Sequence, residues 1–133
     1  MLTLEKAYKM IEASQNKAKE LGIAVTTYVV DSNGILIASS RMDGALSVSP
    51  VFAEAKAYTA GTIGLPTAKI AEYAGEGKPY NGVDNLDSGR FTTIAGGLPV
   101  KEGEALVGGI GVGGSYDVNQ DVMCAEAALS VLG

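Results

Sequence analysis

Apolar residues recur at helical spacing over the first twenty positions of the chain. Leu4, Ala7 and Ile11 fall on one side of a helix, and charged residues occupy most of the other side. Thr3 has the side chain of an N-cap, and Gly22 is placed to end the helix. The pattern predicts an amphipathic first helix between these two residues.

The next two segments have the pattern of a β-hairpin. Residues 23–31 (IAVTTYVVD) are rich in β-branched side chains and are apolar on both faces, which is typical of a central strand. Asn33-Gly34 is a strong hairpin signal, and residues 35–41 (ILIASSR) are apolar again. We therefore expect two antiparallel strands joined by a tight turn.

Two helices are predicted after the hairpin. Ser49 is the expected N-cap of the first, with Pro50 at the first helical position, and the alanine-rich pattern runs to Gly64. Pro66 is expected to begin a short helix that ends near residue 74. The alanines of the longer helix predict close packing against a neighbouring backbone.

Residues 75–90 (GEGKPYNGVDNLDSGR) are polar, rich in glycine and without any period. A structureless loop of this length is uncommon in a compact domain. We expect this loop either to be functional or to be ordered by a neighbouring subunit.

The last third of the chain predicts three strands and a helix. Residues 91–95 and 100–101 have strand character on either side of a bend at residues 96–99 (GGLP), and residues 105–113 form the last strand. Asp117 is the expected N-cap of the final helix, with Gln120 completing a capping box.

The element order is therefore α-β-β-α-(α)-β-β-β-α in a single domain over residues 1–133. Hairpins are clustered and do not alternate with helices, which favours an antiparallel sheet of about five strands with helices packed on it. The predicted fold class is α+β.

Composition excludes several classes of function. The chain carries ten basic and fifteen acidic residues with no basic cluster, so we expect no nucleic-acid binding. It has neither a long apolar span nor a signal-peptide pattern, which predicts a cytoplasmic protein that does not contact membranes. Only 19% of residues are charged, and a small domain with so little charge is expected to form a homo-oligomer.

Histidine is absent, and Cys124 is the only cysteine. The absence of histidine removes the commonest general base and metal ligand, and it excludes every catalytic triad that uses an imidazole. Cys124 falls in the last predicted helix, where we expect it to pack as a small apolar residue. The spacing of the carboxylates singles out no pair, so no metal site is predicted.

Residues 107–115 (VGGIGVGGS) form a strand with unusually many glycines. Gly109, Gly111 and Gly114 spell the dinucleotide-binding pattern G-x-G-x-x-G, but the tract comes last in the chain and follows no βαβ unit, so the match is a coincidence. Two compatible interpretations remain. The glycines let a helix cross the sheet closely, or residues 111–115 present backbone N–H groups to an anion.

Three charged side chains are candidates for a binding site. Arg41 and Asp43 follow the second strand and form either a solvated turn or a clamp for a carboxylate. Lys56 lies among alanines, and either extends to solvent or is buried as a base or anion anchor. The candidate ligand-binding residues are Arg41, Asp43, Lys56, Gly96, Gly97, Gly111, Gly113 and Gly114.

Several motifs together resemble a known family. They are LTLEKAYKMIEAS, VVDSNGILIASSRMDGA, EAKAYTA, GGLPV and GGIGVGGS, in this order over essentially the whole chain. They are similar to the GlcG/HbpS-like family, which also supplies the C-terminal domain of PduO-type corrinoid adenosyltransferases.

The resemblance implies a profilin-like antiparallel sheet and homo-oligomers, often octamers. It also implies haem or a corrinoid as cofactor, although this chain has no histidine to serve as an axial ligand. Met42, Tyr80, Tyr116 and Met123 are the remaining candidates to bind iron.

Two functional hypotheses follow, beside a purely structural one in which the family scaffold serves here as an assembly module. The first is an accessory protein that binds a small anionic molecule or a tetrapyrrole, linked to cofactor metabolism or to catabolism of small acids or diols. The second is a small enzyme that acts on a carboxylate metabolite, with Lys56 or Asp43 as base and glycine N–H groups stabilising an enolate.

Overall fold

The computed structural model describes residues 1–133 and contains four α-helices and four β-strands. The helices are α1 (Leu4–Leu21), α2 (Ser49–Ile63), α3 (Thr67–Ala74) and α4 (Val118–Ser130). The strands are β1 (Thr26–Asp31), β2 (Leu36–Arg41), β3 (Gly97–Glu102) and β4 (Ala105–Gly113), and every strand pair is antiparallel in the order β2-β1-β4-β3. The α+β class is confirmed.

The predicted ends of α1 are confirmed. The Thr3 hydroxyl accepts a hydrogen bond from the backbone N–H of Lys6 at 3.2 Å, and Gly22 adopts a left-handed φ of 73°. The hairpin is also confirmed, although β2 begins at Leu36 because the Asp31 carboxylate holds the backbone N–H groups of Asn33 and Ile35 in the turn.

The prediction of about five strands is wrong, because residues 91–95 do not form a strand. The backbone N–H of Thr92 donates to the Thr59 hydroxyl at 2.9 Å, and the Phe91 ring packs on Tyr58 at 5.3 Å between centroids. These contacts hold the segment against α2. Three of the four residues expected to form a bend, Gly97 to Pro99, instead begin β3, where Pro99 is tolerated because β3 is an edge strand.

Two predicted helix starts are also corrected. Ser49 is the first residue of α2 and does not cap it, because its hydroxyl is hydrogen-bonded to the buried Thr26 hydroxyl at 2.8 Å. Asp117 caps α4 as predicted, but Gln120 does not complete a capping box. Its side chain accepts a hydrogen bond from the Ser115 hydroxyl.

The sheet lies between two helical layers. Because side chains alternate along a strand, β4 faces both layers. Ile110 and Val112 point into the core with α1 and α4, whereas Gly109, Gly111 and Gly113 face α2. The opposite faces of one strand thus pack in different ways, with large side chains on one and bare backbone on the other.

Candidate functional site

The glycines of β4 allow α2 to lie directly on the sheet. A Cβ atom at Gly109 would lie 2.5 Å from both the Ala57 carbonyl oxygen and the Gly61 nitrogen. A Cβ atom at Gly111 would overlap the backbone of Ala53 and Ala57 in the same way. The close-packing interpretation of the tract is therefore confirmed for these glycines, since no side chain fits between strand and helix.

Lys56 is buried at the end of this contact. Its Nζ donates to the Val112 carbonyl oxygen at 2.8 Å and to Asp121 Oδ2 at 3.1 Å, and only 1% of the residue is exposed. The other carboxylate oxygen, Asp121 Oδ1, accepts from the backbone N–H of Ser115. Lys56 does not extend to solvent; it joins α2, β4 and α4 through one ion pair.

Gly96 and Gly97 make the space that Lys56 occupies. A Cβ at Gly96 would lie 2.8 Å from Lys56 Nζ, and the φ of +126° at this residue also favours glycine. A Cβ at Gly97 would overlap the Lys56 backbone carbonyl. The structure therefore brings three of the predicted site residues together, with the glycines shaping the lysine's surroundings.

Burial shifts the acid–base properties of both partners. It lowers the pKa of the Lys56 ammonium, although Asp121 acts in the opposite direction. It raises the pKa of the Asp121 carboxyl, although Lys56 opposes that shift. The two groups are therefore closer in proton affinity than an exposed lysine and aspartate, which is a property of many functional sites.

A cavity of about 330 Å³ opens beside this pair. We call it the Lys56 cavity, and its volume falls within the range of small-molecule sites. Apolar side chains form much of its wall, and the Lys56–Asp121 pair and the loop after β4 supply the polar groups. The lining residues are Leu46, Val48, Ser49, Phe52, Lys56, Ile94, Gly114, Ser115, Tyr116, Val118 and Asp121.

The predicted site residues do not all line this cavity. Lys56 and Gly114 line the cavity, whereas Gly111 and Gly113 are covered by α2. Arg41 and Asp43 are exposed at the end of β2 and do not line it. Arg41 is nevertheless in register with Gly113, because both pair with Thr26 from opposite sides of β1.

Asp121 is the main residue that sequence reasoning did not assign to the site. It lies 65 positions from Lys56, so no local spacing connects them. The available signal was the lysine itself, because a cation buried among alanines requires an acceptor with opposite charge. Phe52, Ile94 and Tyr116 were also missed as cavity walls, since their neighbours in space come from three separate segments.

Few side chains here suit a metal. No group of three or more His, Cys, Asp or Glu residues is arranged to hold a metal ion. Of the four candidate iron ligands, Tyr116 alone lines the cavity. Cys124 is buried, and burial raises the pKa of its thiol to about 11, so it is protonated at neutral pH.

No helix combines the length and apolar character needed to cross a bilayer.

The chain is similar to one protein family and to several known proteins. A family model described as "Haem degrading protein HbpS-like" matches residues 2–130. The chain is 35% identical to an uncharacterised 15.0 kDa protein of the dhaT–dhaS intergenic region of Citrobacter freundii, covering 96% of this chain and 89% of that protein. It is 30% identical to the corrinoid adenosyltransferase PduO of the same organism, covering 98% of this chain but 39% of that protein.

Solved structures with a very similar fold are also known. A double mutant of Streptomyces reticuli HbpS superposes with a TM-score of 0.92 at 35% identity, covering 99% of this chain and 87% of that one. A structure described as a PduOC:heme complex superposes with a TM-score of 0.90 at 28% identity, covering 95% and 91%. That relative forms a complex with haem.

Proposed function

The chain belongs to the HbpS-like family, and on that premise we propose that it is a small-molecule-binding protein whose ligand occupies the Lys56 cavity. The observation that carries the proposal is an apolar cavity with a buried ammonium at its wall. Lysine has three N–H donors, and two of those on Lys56 have protein acceptors. The third has no acceptor in the protein, and in this proposal an oxygen atom of the ligand accepts from it.

The chemistry of the walls indicates the class of ligand. Phe52, Ile94 and Val118 offer apolar surface to a flat body, while Lys56 offers a charged donor to an acceptor such as a carboxylate. A tetrapyrrole with acidic side chains has both features, and a relative forms a haem complex. If haem is the ligand, Tyr116 is the cavity residue able to bind its iron, since phenolate ligation occurs in haem proteins.

We expect haemin to bind with a shift of its Soret absorbance, and Ile94→Trp to weaken binding about tenfold or more by filling the cavity. Ile94 is 39% exposed, so the substitution leaves the fold intact. Ile35→Trp is the matched control, because Ile35 is exposed on the hairpin away from the cavity. Absorbance titration measures haemin binding by both variants. Cobalamin is titrated in the same way, and small hydroxy acids are titrated by calorimetry. Equal binding by the two tryptophan variants, or no binding of any probe, contradicts the proposal.

A second candidate function is catalysis on a carboxylate metabolite. The observation that favours it is the position of Lys56 at the cavity wall beside Asp121, where burial lowers the pKa of its ammonium and makes it a better proton donor than an exposed lysine. Turnover in a substrate screen that is lost both in Lys56→Met and in the more stable double variant Lys56→Met/Asp121→Leu would replace the binding-protein assignment with an enzymatic one.

Exposed apolar side chains that line the cavity also support self-assembly. Leu46, Val48 and Tyr116 are 39%, 44% and 92% exposed there, and such apolar surface favours association. We expect a homo-oligomer, with the octamer as the specific prediction. Light scattering after size exclusion should give a multiple of the 13.6 kDa chain mass; a 13.6 kDa particle at every concentration contradicts assembly.

A further inference from the structure

A second cavity lies against the other side of α2 and shares no lining residue with the Lys56 cavity. Its volume is about 200 Å³, and we call it the Arg90 cleft. It is lined by Val51, Glu54, Ala55, Tyr58, Gly89 and Arg90. The last two residues belong to the polar loop at 75–90, to which the proposed function assigns no role.

Two opposite charges border this cleft without touching each other. Glu54 and Arg90 form no salt bridge together, although both line the same small space. The Glu54 carboxylate accepts no hydrogen bond from the protein, and the Arg90 guanidinium donates none. Burial is the main reason that the pKa of the nearby Tyr28 phenol is raised; Glu54 raises that pKa further and Arg90 lowers it.

Arg90 is held in place by its neighbours. Its guanidinium carbon lies 3.7 Å from the centre of the Tyr58 ring, and Nη1 lies 3.8 Å from Asp87 Oδ2. The Tyr58 hydroxyl in turn donates to Asp87. The cation is therefore oriented before any ligand arrives, which lowers the entropic cost of binding.

The backbone that carries Arg90 is strained. Asp87 and Ser88 adopt φ values of 54° and 58°, in the left-handed region that favours glycine. Strain of this kind persists where surrounding contacts impose it, and it is concentrated at ligand sites. Here the Asp87 carboxylate accepts a hydrogen bond from the Tyr58 hydroxyl, and Gly89 and Arg90, which follow directly, line the cleft.

We propose that the Arg90 cleft binds a small zwitterion of the amino-acid class, with its carboxylate on Arg90 and its ammonium on Glu54. The apolar Val51 and Ala55 side chains face the carbon atoms between the two charges. Arginine suits the carboxylate because its planar fork donates two parallel hydrogen bonds. The small volume limits the ligand to a few carbon atoms. This site goes beyond the proposed function and does not depend on it.

Calorimetric titration with glycine, β-alanine and γ-aminobutyrate tests the proposal, with propionate and propylamine as probes that carry one charge each. We expect at least one zwitterion to bind about tenfold or more tightly than both single-charge probes, because it satisfies both groups. Arg90→Gln and Glu54→Gln should each reduce that affinity about tenfold or more. Both residues are exposed, so the fold is retained.

Arg41→Gln is the control, since Arg41 is an exposed arginine outside the cleft. It should leave zwitterion binding unchanged. The proposal is overturned if no zwitterion binds, if propionate or propylamine binds as tightly as the best zwitterion, or if Arg41→Gln has the same effect as Arg90→Gln. Ile94→Trp separates the two sites, because it should weaken haemin binding and leave the Arg90 cleft unaffected.

Discussion

Replacing Gly109 with alanine is expected to lower the free energy of unfolding by about 3 to 5 kcal/mol, or to prevent cooperative folding. The added Cβ would lie 2.5 Å from the Ala57 carbonyl oxygen, 2.5 Å from the Gly61 nitrogen and 2.6 Å from the Gly61 Cα. All three are backbone atoms of α2, so no side chain can rotate away. The helix must move off the sheet, which disturbs the packing beside it. Urea denaturation measures the change.

Gly75→Ala is the matched control for this substitution. Gly75 has a φ of −71°, and a Cβ there would meet only the Lys78 Cγ at an ordinary 3.8 Å. Alanine at Gly75 should therefore leave stability within about 0.5 kcal/mol of the wild type. If the two alanine variants were equally stable, the tract would not be packed as closely as described.

Lys56→Met is expected to cost about 3 to 5 kcal/mol of stability, because it leaves the Asp121 carboxylate buried without its cation. The double variant Lys56→Met/Asp121→Leu removes both charges and should recover most of that loss. Lys69→Met is the control, since Lys69 pairs with Glu72 on the exposed surface and should change stability by less than about 0.5 kcal/mol. A double variant as unstable as the single one would show that the pair is not coupled.

The same variants make a pH dependence measurable. In the unfolded chain Lys56 keeps its proton up to its ordinary pKa of 10.5, whereas burial lowers the pKa in the folded protein. Below pH 10.5 there is thus an interval in which the unfolded state binds more protons, and there stability rises with pH. We expect the wild type to gain stability relative to the double variant as pH rises through this interval. A flat difference would contradict the lowered pKa.

The sequence was sufficient for elements whose signals are local. The caps of α1 and the turn of the hairpin depend on side chains within a few residues of the backbone they bind. Residues 91–95 failed as a strand for the opposite reason. Their strand-like composition was outweighed by contacts with Thr59 and Tyr58, which lie more than thirty positions away along the chain.

The residues that surround the Lys56 ammonium were predicted in part. Lys56, Gly96 and Gly97 were selected for their residue types, and the structure places them together around one ammonium group. Arg41 met the same chemical criteria but lies outside the cavity, because neither strand length nor charge fixes where the end of β2 points relative to α2. To assign Asp121 to the site from the sequence would have required knowing how α4 packs against the sheet.

The most direct test of the central claim is a crystal structure of the protein grown with haemin. We predict that the tetrapyrrole lies in the Lys56 cavity, against Phe52 and Ile94, with an oxygen atom within hydrogen-bonding distance of Lys56 Nζ. A haem bound elsewhere on the surface, with the Lys56 cavity empty, would contradict the account.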